Sequence, residues 1–253
     1  MKHYCSICLL AKNEHDYIEE WLDWHVGIGV DHFYIYDNNS TIPLSESIPE
    51  RYRDKCTIVD FSGQHFHTQL SCYKDCLKRF GAETQWLAFI DADEFIRVVD
   101  STPLPKFLQE FEQHTGIYIG WINYNANGLA EQDSRPVRER FTQRTMAYPE
   151  WMATGKSIIQ TDKVNSMGTH YPSLPCRNLD MVLSDHTKVK DPYMSDFPED
   201  KIVLDHYYTK SYEEWIKKLG RGSCDPFCIR KIDEFFIYNP DLIYLKQNEY
   251  KGE

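Results

Sequence analysis

The sequence predicts an α/β protein: a Rossmann-like, mainly parallel sheet flanked by helices, with an antiparallel extension in its second half. Short apolar runs alternate with segments of helical period through the first hundred residues, the rhythm of right-handed βαβ crossovers. The run 86–90, Trp-Leu-Ala-Phe-Ile, is apolar throughout, as suits a strand covered on both faces. Acidic and amide residues follow directly on the ends of the early strands, which is where open α/β sheets bind ligands.

Residues 4–10 read as the first strand. Asn13 is a plausible N-cap for a helix in which Ile18, Trp21, Leu22 and His25 recur at helical spacing and which Gly27 and Gly29 end. A second strand, 31–36, leads into the turn-prone Asp37-Asn-Asn-Ser40. Residues 41–54 form a loop with a short helix, 56–61 a third strand, 66–80 a second amphipathic helix, and 86–90 the fourth strand. Helical signal returns at 105–113 and a strand follows at 117–124. An Asn/Gly loop runs to Pro136, and 137–190 alternate short extended pieces with turns, which predicts antiparallel strands. Residues 191–200 are loop and 202–208 a last strand. Ser211 caps a helix over 212–219 with Glu214 at the capping-box position, and a further helix spans 226–238. No repeat or linker interrupts the chain, so one domain over 1–253 is predicted.

At 253 residues, with 42% hydrophobic, the chain can bury a full core. No apolar run approaches a transmembrane span, and the N-terminus turns polar too soon for a signal peptide. A cytoplasmic protein is expected; peripheral attachment to the inner face of a membrane is the alternative, to which the acidic balance gives no positive support. A net charge of −11 argues against nucleic acid as the main partner but leaves room for a local basic pocket. Cys5 and Cys8 would point to opposite faces of a strand, poor geometry for zinc. Cys72/Cys76 and Cys224/Cys228 lie one helical turn apart with no second pair of ligands nearby. Buried, reduced thiols are the expectation.

The chemistry concentrates where the fourth strand ends, in Asp91, Asp93 and Glu94. Such a cluster at the mouth of a core strand needs a cation or firm hydrogen bonds to offset repulsion and desolvation. Alternation puts Asp91 and Asp93 on one side, and a divalent ion completed by phosphate oxygens is the natural partner. Lys12, Glu14, Asp37 and Asn38 sit at the ends of early strands and should face the same crevice. Asp205-His-Tyr-Tyr-Thr-Lys-Ser211, followed by Lys217, Lys218 and Arg221, sets a histidine beside cations able to neutralise a diphosphate. Trp121 and Tyr124 offer flat faces for stacking on a sugar. Against each stands a plainer reading: helix capping for Asn13, turn formation for Asp37, a solvated face for the lysines, core packing for the aromatics.

The segment 11–40, Ala-Lys-Asn-Glu-His-Asp-Tyr-Ile-Glu-Glu-Trp-Leu-Asp-Trp-His and onward to Asp37-Asn-Asn-Ser40, resembles the N-terminal signature of glycosyltransferase family 92 and its bacterial relatives. The likeness continues in order through Phe89-Ile-Asp-Ala-Asp-Glu-Phe95, the Trp121 strand, Glu139-Arg-Phe141, Lys156-Ser-Ile158, and His206-Tyr-Tyr-Thr-Lys-Ser-Tyr-Glu-Glu-Trp215 with Arg221-Gly222. It implies a GT-A fold with a nucleotide-binding half over about residues 1–100 and an acceptor-binding half with C-terminal helices over 101–253. It also implies inverting transfer from a nucleotide sugar, usually a UDP-sugar, with manganese or magnesium. Carried over by position, Asp93 is the chief metal ligand and Asp91 approaches ribose or metal. Glu14 and Asp37 hold the nucleoside, with Lys12 and Asn38 beside them. His206 is the late metal contact, with His170 as second choice, and Lys210, Lys218 and Arg221 meet phosphate. Trp121 and Tyr124 are acceptor contacts, but the loop Asn123-Tyr-Asn-Ala-Asn-Gly128 departs from the family's Gly/Ser-bearing pattern.

The resemblance points to UDP-galactose as donor and to a saccharide or glycolipid acceptor, as in surface polysaccharide synthesis. The catalytic base is left among Glu139, Glu150, Asp162 and Asp180. A sugar-nucleotide nucleotidyltransferase would want an early Gly-rich phosphate loop, which does not follow the first strand here. A phosphatase with an Asp-x-Asp nucleophile would carry that pair on its first strand. A non-catalytic nucleotide-sugar or glycan-binding module is the remaining alternative.

Overall fold

The computed structural model describes residues 1–62, 68–145, 154–173, 176, 179–193, 196–223 and 229–249. Strand β1 (His3–Ala11) lies between β2 (His32–Asp37) and β4 (Thr84–Phe89), with β3 (Cys56–Asp60) outside β2. All three pairings are parallel, giving the order 3-2-1-4 that successive right-handed crossovers produce. The crossovers are α1 (Ile18–Gly27), the short α2 (Leu44–Ser47) with a 3-10 turn at Glu50–Lys55, and α3 (Thr68–Phe80).

Alternation along β1 builds the two sides of this half. Ile7 and Leu9 pack with Phe33, Ile35, Trp86 and Ala88 beneath Ile18, Trp21 and Leu22 of α1. Cys8 turns the other way, joining Tyr34, Tyr36, Leu87 and Phe89 beneath Cys72, Tyr73, Cys76 and Leu77 of α3. The described cysteines are free thiols, most of them buried. Cys224 and Cys228 lie outside the described residues.

One strand was not expected. β5 (Glu94–Val98) follows the acidic turn at once and starts a second sheet region. It pairs antiparallel with β9 (Ile202–His206), which runs parallel to β6 (Gly116–Asn123). The polar letters Glu94 and Arg97 hide this strand in the sequence, but both side chains find buried partners. β5 ends the strand order, and α1 covers this edge: Trp21 Nε1–H and Trp24 Nε1–H donate to the carbonyls of Glu94 and Ile96. His25 Nε2 accepts from the Ile96 amide, an arrangement that burial of the ring and its depressed basicity (to about 3) both favour.

β7 (Gly155–Gln160) is wedged between β4 and β6 and antiparallel to both, so the expected antiparallel pieces enter the middle of the sheet. A Cβ at position 155 would fall 2.0 Å from the Ile119 carbonyl oxygen, which explains glycine there. β8 (Met181–Val182) adds to β6. α4 (Leu104–Leu108), continued by a 3-10 turn at Gln109–Phe111, lies between β5 and β6, and the single turn α5 (Val137–Arg140) between β6 and β7.

The C-terminal layer is α6 (Tyr212–Gly220), α7 (Ile232–Tyr238) and α8 (Tyr244–Glu249), whose core is Tyr208, Trp215, Phe235, Phe236 and Tyr238. The predicted capping box at Ser211 and Glu214 is present. Asn13, by contrast, caps nothing: α1 starts at Ile18, and Asn13 takes a left-handed φ of 56°. There its amide donates to Ser40 Oγ and its side-chain oxygen accepts from the Thr41 amide, joining the ends of β1 and β2.

Candidate active site

One cavity of about 1130 Å³ opens beyond the C-terminal ends of β1 and β4. Most of the residues expected at a site line it: Lys12, Glu14, Asn38, Asp91, Asp93, Trp121, His170, His206, Lys218 and Arg221. The gathering follows from register. β4 delivers Asp91 and Asp93 at its end, β5 starts with Glu94, and Glu94 stands opposite His206 across the β5–β9 ladder. His206 in turn stands opposite Asn123 on β6.

Asp93 and Asp91 are held differently. Lys218 Nζ donates to Asp93 Oδ2 at 2.6 Å and to the Tyr208 carbonyl at 2.6 Å. Asp93 Oδ1 faces His206 Nε2 at 3.9 Å. Burial alone would raise the Asp93 carboxyl, but the nearby charges, Lys218 foremost, hold it well below the usual carboxylate range. Burial also lowers Lys218, to about 8, against the pull of Asp93. Both oxygens of Asp91 are engaged by fixed donors, Lys156 Nζ at 2.9 Å and Gln69 Nε2 at 2.8 Å. Lys156 comes from buried β7; burial lowers its ammonium, yet Asp91 and Glu94 outweigh that and raise it.

Glu94 is not the third arm of a cation cluster. It turns into the core, fully buried, where Oε2 accepts from the Asp91 amide and Oε1 from Trp121 Nε1–H, both at 2.8 Å. Burial, reinforced by Asp91 and Asp93 and only partly opposed by Lys156, raises its carboxyl well above the ordinary value. The hydrogen bond pins the Trp121 indole, which stacks on His206 at 4.4 Å and meets His170 edge-on at 5.4 Å.

The histidines are prepared as lone-pair donors. Nδ1–H of His206 donates to Asn123 Oδ1 at 2.9 Å, and Nδ1–H of His170 to the Gly155 carbonyl at 2.9 Å. In each ring the proton is thereby fixed on Nδ1, leaving Nε2 basic. Burial, the leading cause, keeps His206 neutral down to about 4 and His170 down to about 3.

Among the described residues no group of three His, Cys, Asp or Glu side chains could by itself hold a metal ion. Asp93 and His206, a carboxylate oxygen and an imidazole nitrogen 3.9 Å apart, are nevertheless the residues that would hold a divalent ion supplied with further oxygen ligands. The residues fit a cation that arrives with oxygen ligands of its own.

At the β1 end of the cavity, Arg221 reaches Glu14 Oε1 and, at 2.8 Å, the Lys12 carbonyl. Glu14 Oε2 is buried and accepts no hydrogen bond, with Lys210 Nζ 4.0 Å away. Such an acceptor is open to a further donor. Lys210 itself lies over the Tyr17 ring rather than on the cavity wall.

Several expected residues are elsewhere. Both oxygens of Asp37 accept backbone amides, of Ser40 and Leu44, so it builds the turn while Asn38 lines the cavity. Tyr124 packs on Tyr207 and donates to Asp205, away from the cavity, because β6 turns its side chain to the α1 side. Of the four base candidates, Glu139 is exposed on α5 and Asp180 holds His114 at 2.7 Å. Asp162 lines a separate hollow at the opposite end of β4 with Lys74 and Lys78, and Glu150 lies outside the described residues. Conversely, Gln69, Lys156, Tyr208 and Glu234 line the cavity unforeseen. Only Lys156 left a signal: a lysine two residues before the apolar pair Ile158-Ile159 of a strand, once buried, needs a buried counter-charge.

The sequence model of glycosyltransferase family 92 matches residues 3–237. The glycosyltransferase family 92 protein Os08g0121900 of Oryza sativa subsp. japonica is 24% identical over 216 residues, covering 84% of this chain and 34% of that protein. Galactan beta-1,4-galactosyltransferase GALS3 of Arabidopsis thaliana is 24% identical over 185 residues, covering 66% of this chain and 36% of that protein. The chain thus spans about a third of the length of these curated relatives. Among solved structures, S. aureus TarS 1-349 aligns with a TM-score of 0.43 at 16% identity, over 68% of this chain and 52% of that one.

Proposed function

This chain belongs to glycosyltransferase family 92, and on that premise we propose that it transfers a sugar, with inversion, from a UDP-sugar to a saccharide hydroxyl with the help of a divalent ion. The observation that carries this reading is the single cavity in which Asp93, His206, Lys218, Arg221 and Glu14 converge from distant parts of the chain. An unsatisfied buried acceptor on Glu14 suits a ribose hydroxyl or a base N–H, and the basic groups suit a diphosphate. The relatives named as galactan galactosyltransferases make galactose the first donor sugar to test.

Manganese or magnesium would be held by Asp93 and His206, and when bound it would stabilise charge on the departing diphosphate. The chain's own residues do the rest. Lys218 and Arg221 add fixed positive charge along the cavity wall. Asn123 keeps the His206 proton on Nδ1. Trp121 lines the cavity, where the part of its indole not covered by His206 would meet the sugar. Glu234 is the base proposed for the acceptor hydroxyl: it lines the cavity, where its oxygens accept the Tyr208 hydroxyl (3.0 Å) and the Lys231 amide (2.9 Å).

Incubation with UDP-galactose and Mn²⁺, with and without a β-1,4-linked galacto-oligosaccharide, tests the reading. Acceptor-dependent release of UDP supports it. Absence of UDP release together with no thermal shift from any UDP-sugar plus Mn²⁺ sinks it.

A further inference from the structure

The two carboxylates at the end of β4 are each matched by their own lysine. Lys156 Nζ stands 2.9 Å from Asp91 and Lys218 Nζ 2.6 Å from Asp93, the first from a buried strand and the second from α6. Neither ammonium is a loose surface group: Lys156 is 1% exposed, and Lys218 is also tied to the Tyr208 carbonyl. The carboxylate charge is therefore already compensated one for one, in surroundings where water screens little. A bare divalent ion entering between Asp93 and His206 would meet the Lys218 ammonium on Asp93 directly, and that of Lys156 on the neighbouring Asp91. The diphosphate of a nucleotide sugar carries two negative charges, so its adduct with a divalent ion is nearly neutral and meets no such penalty.

We propose that Lys156 and Lys218 make cation binding conditional on the diphosphate, so that metal and nucleotide sugar are taken up as one complex. The inference rests on the nucleotide-sugar reading above and specifies how that site is loaded. By linkage, whatever factor UDP adds to Mn²⁺ affinity, Mn²⁺ must add to UDP affinity.

The test is a titration of Mn²⁺, followed by its electron paramagnetic resonance, into wild type, Lys218→Ala and Lys156→Met, each with and without UDP. Wild type is expected to bind Mn²⁺ alone at least about tenfold more weakly than with saturating UDP. Lys218→Ala should bind Mn²⁺ alone about tenfold more tightly than wild type, and its dependence on UDP should shrink. Circular dichroism establishes which variants are folded, and the second lysine guards against loss of one of them. Mn²⁺ binding alone that is no tighter in the folded variants overturns the proposal, as does wild-type binding that UDP leaves unchanged while UDP itself binds. If UDP fails to bind wild type under any condition, the nucleotide-sugar reading falls instead, and the comparison of Mn²⁺ alone across the variants still decides what the lysines do.

Discussion

His206 Nε2 lies 3.9 Å from Asp93 Oδ1, although the two residues belong to opposite halves of the chain. The β5–β9 ladder sets that distance by pairing Glu94, the residue after Asp93, with His206. The Lys218 ammonium holds the other carboxylate oxygen and so aims Oδ1 at the imidazole. The predictions below follow from this pair and from the groups that hold it.

Asp93→Asn should lower sugar transfer by about a hundredfold or more, since it removes the charged oxygen facing His206. The fold should persist, because the amide oxygen still accepts from Lys218. UDP release and the far-ultraviolet dichroism spectrum are the two readouts, and undiminished turnover in saturating Mn²⁺ would contradict the assignment.

Asn123→Leu should weaken Mn²⁺ binding in the presence of UDP by about tenfold to a hundredfold without touching the ligand ring itself. Its cause would be the loss of the acceptor that fixes the His206 proton on Nδ1. Isothermal titration of Mn²⁺ into the UDP-bound protein measures it. A smaller loss in Asn123→Asp, which restores an acceptor, separates positioning from general damage.

Glu94→Ala should cost about 2–4 kcal/mol of stability, because it leaves the Asp91 amide and the Trp121 indole N–H buried without acceptors. Glu94→Gln keeps one acceptor and should fall between. Urea unfolding gives both numbers, and a loss below about 1 kcal/mol for the alanine variant would mean that these donors find water.

Stability should fall on acidification between about pH 4.5 and pH 2 through Glu214. Burial alone would raise this carboxyl, but two hydrogen bonds from Arg140, together with the charge of Lys210 and the Ser211 hydroxyl, bring it from 4.5 down to about 2. A folded-state value below the unfolded one means stability that is complete above 4.5 and is lost as pH drops through the folded value, about 3 kcal/mol in all. In Glu214→Gln this part of the pH dependence should disappear; a wild-type-like acid slope in that variant would place its origin elsewhere.

Periodicity and residue type alone determined the parallel half of the fold and the position of its acidic tip. Apolar runs such as 86–90 can be stable only as covered strands, and a cluster such as Asp91 and Asp93 at the end of one requires compensation. The same local logic located the Ser211–Glu214 capping box, a motif closed within a single turn. It failed where local signal is weak or ambiguous. β5 reads as charged, and the polar letters of Asp37 and Tyr124 are equally consistent with a site or with structure.

Only the tertiary structure decided which partner each charge receives. Register across β5, β9 and β6 brings His206 to Asp93 and Asn123 to His206, while β7 and α6 carry Lys156 and Lys218 to the two aspartates. It also turned Glu94 into the core, so that a carboxylate counted by sequence toward a cation instead holds Trp121. Hydrogen bonds and ion pairs act over a few ångströms, whereas their partners here are far apart along the chain, and strand pairing alone sets those distances.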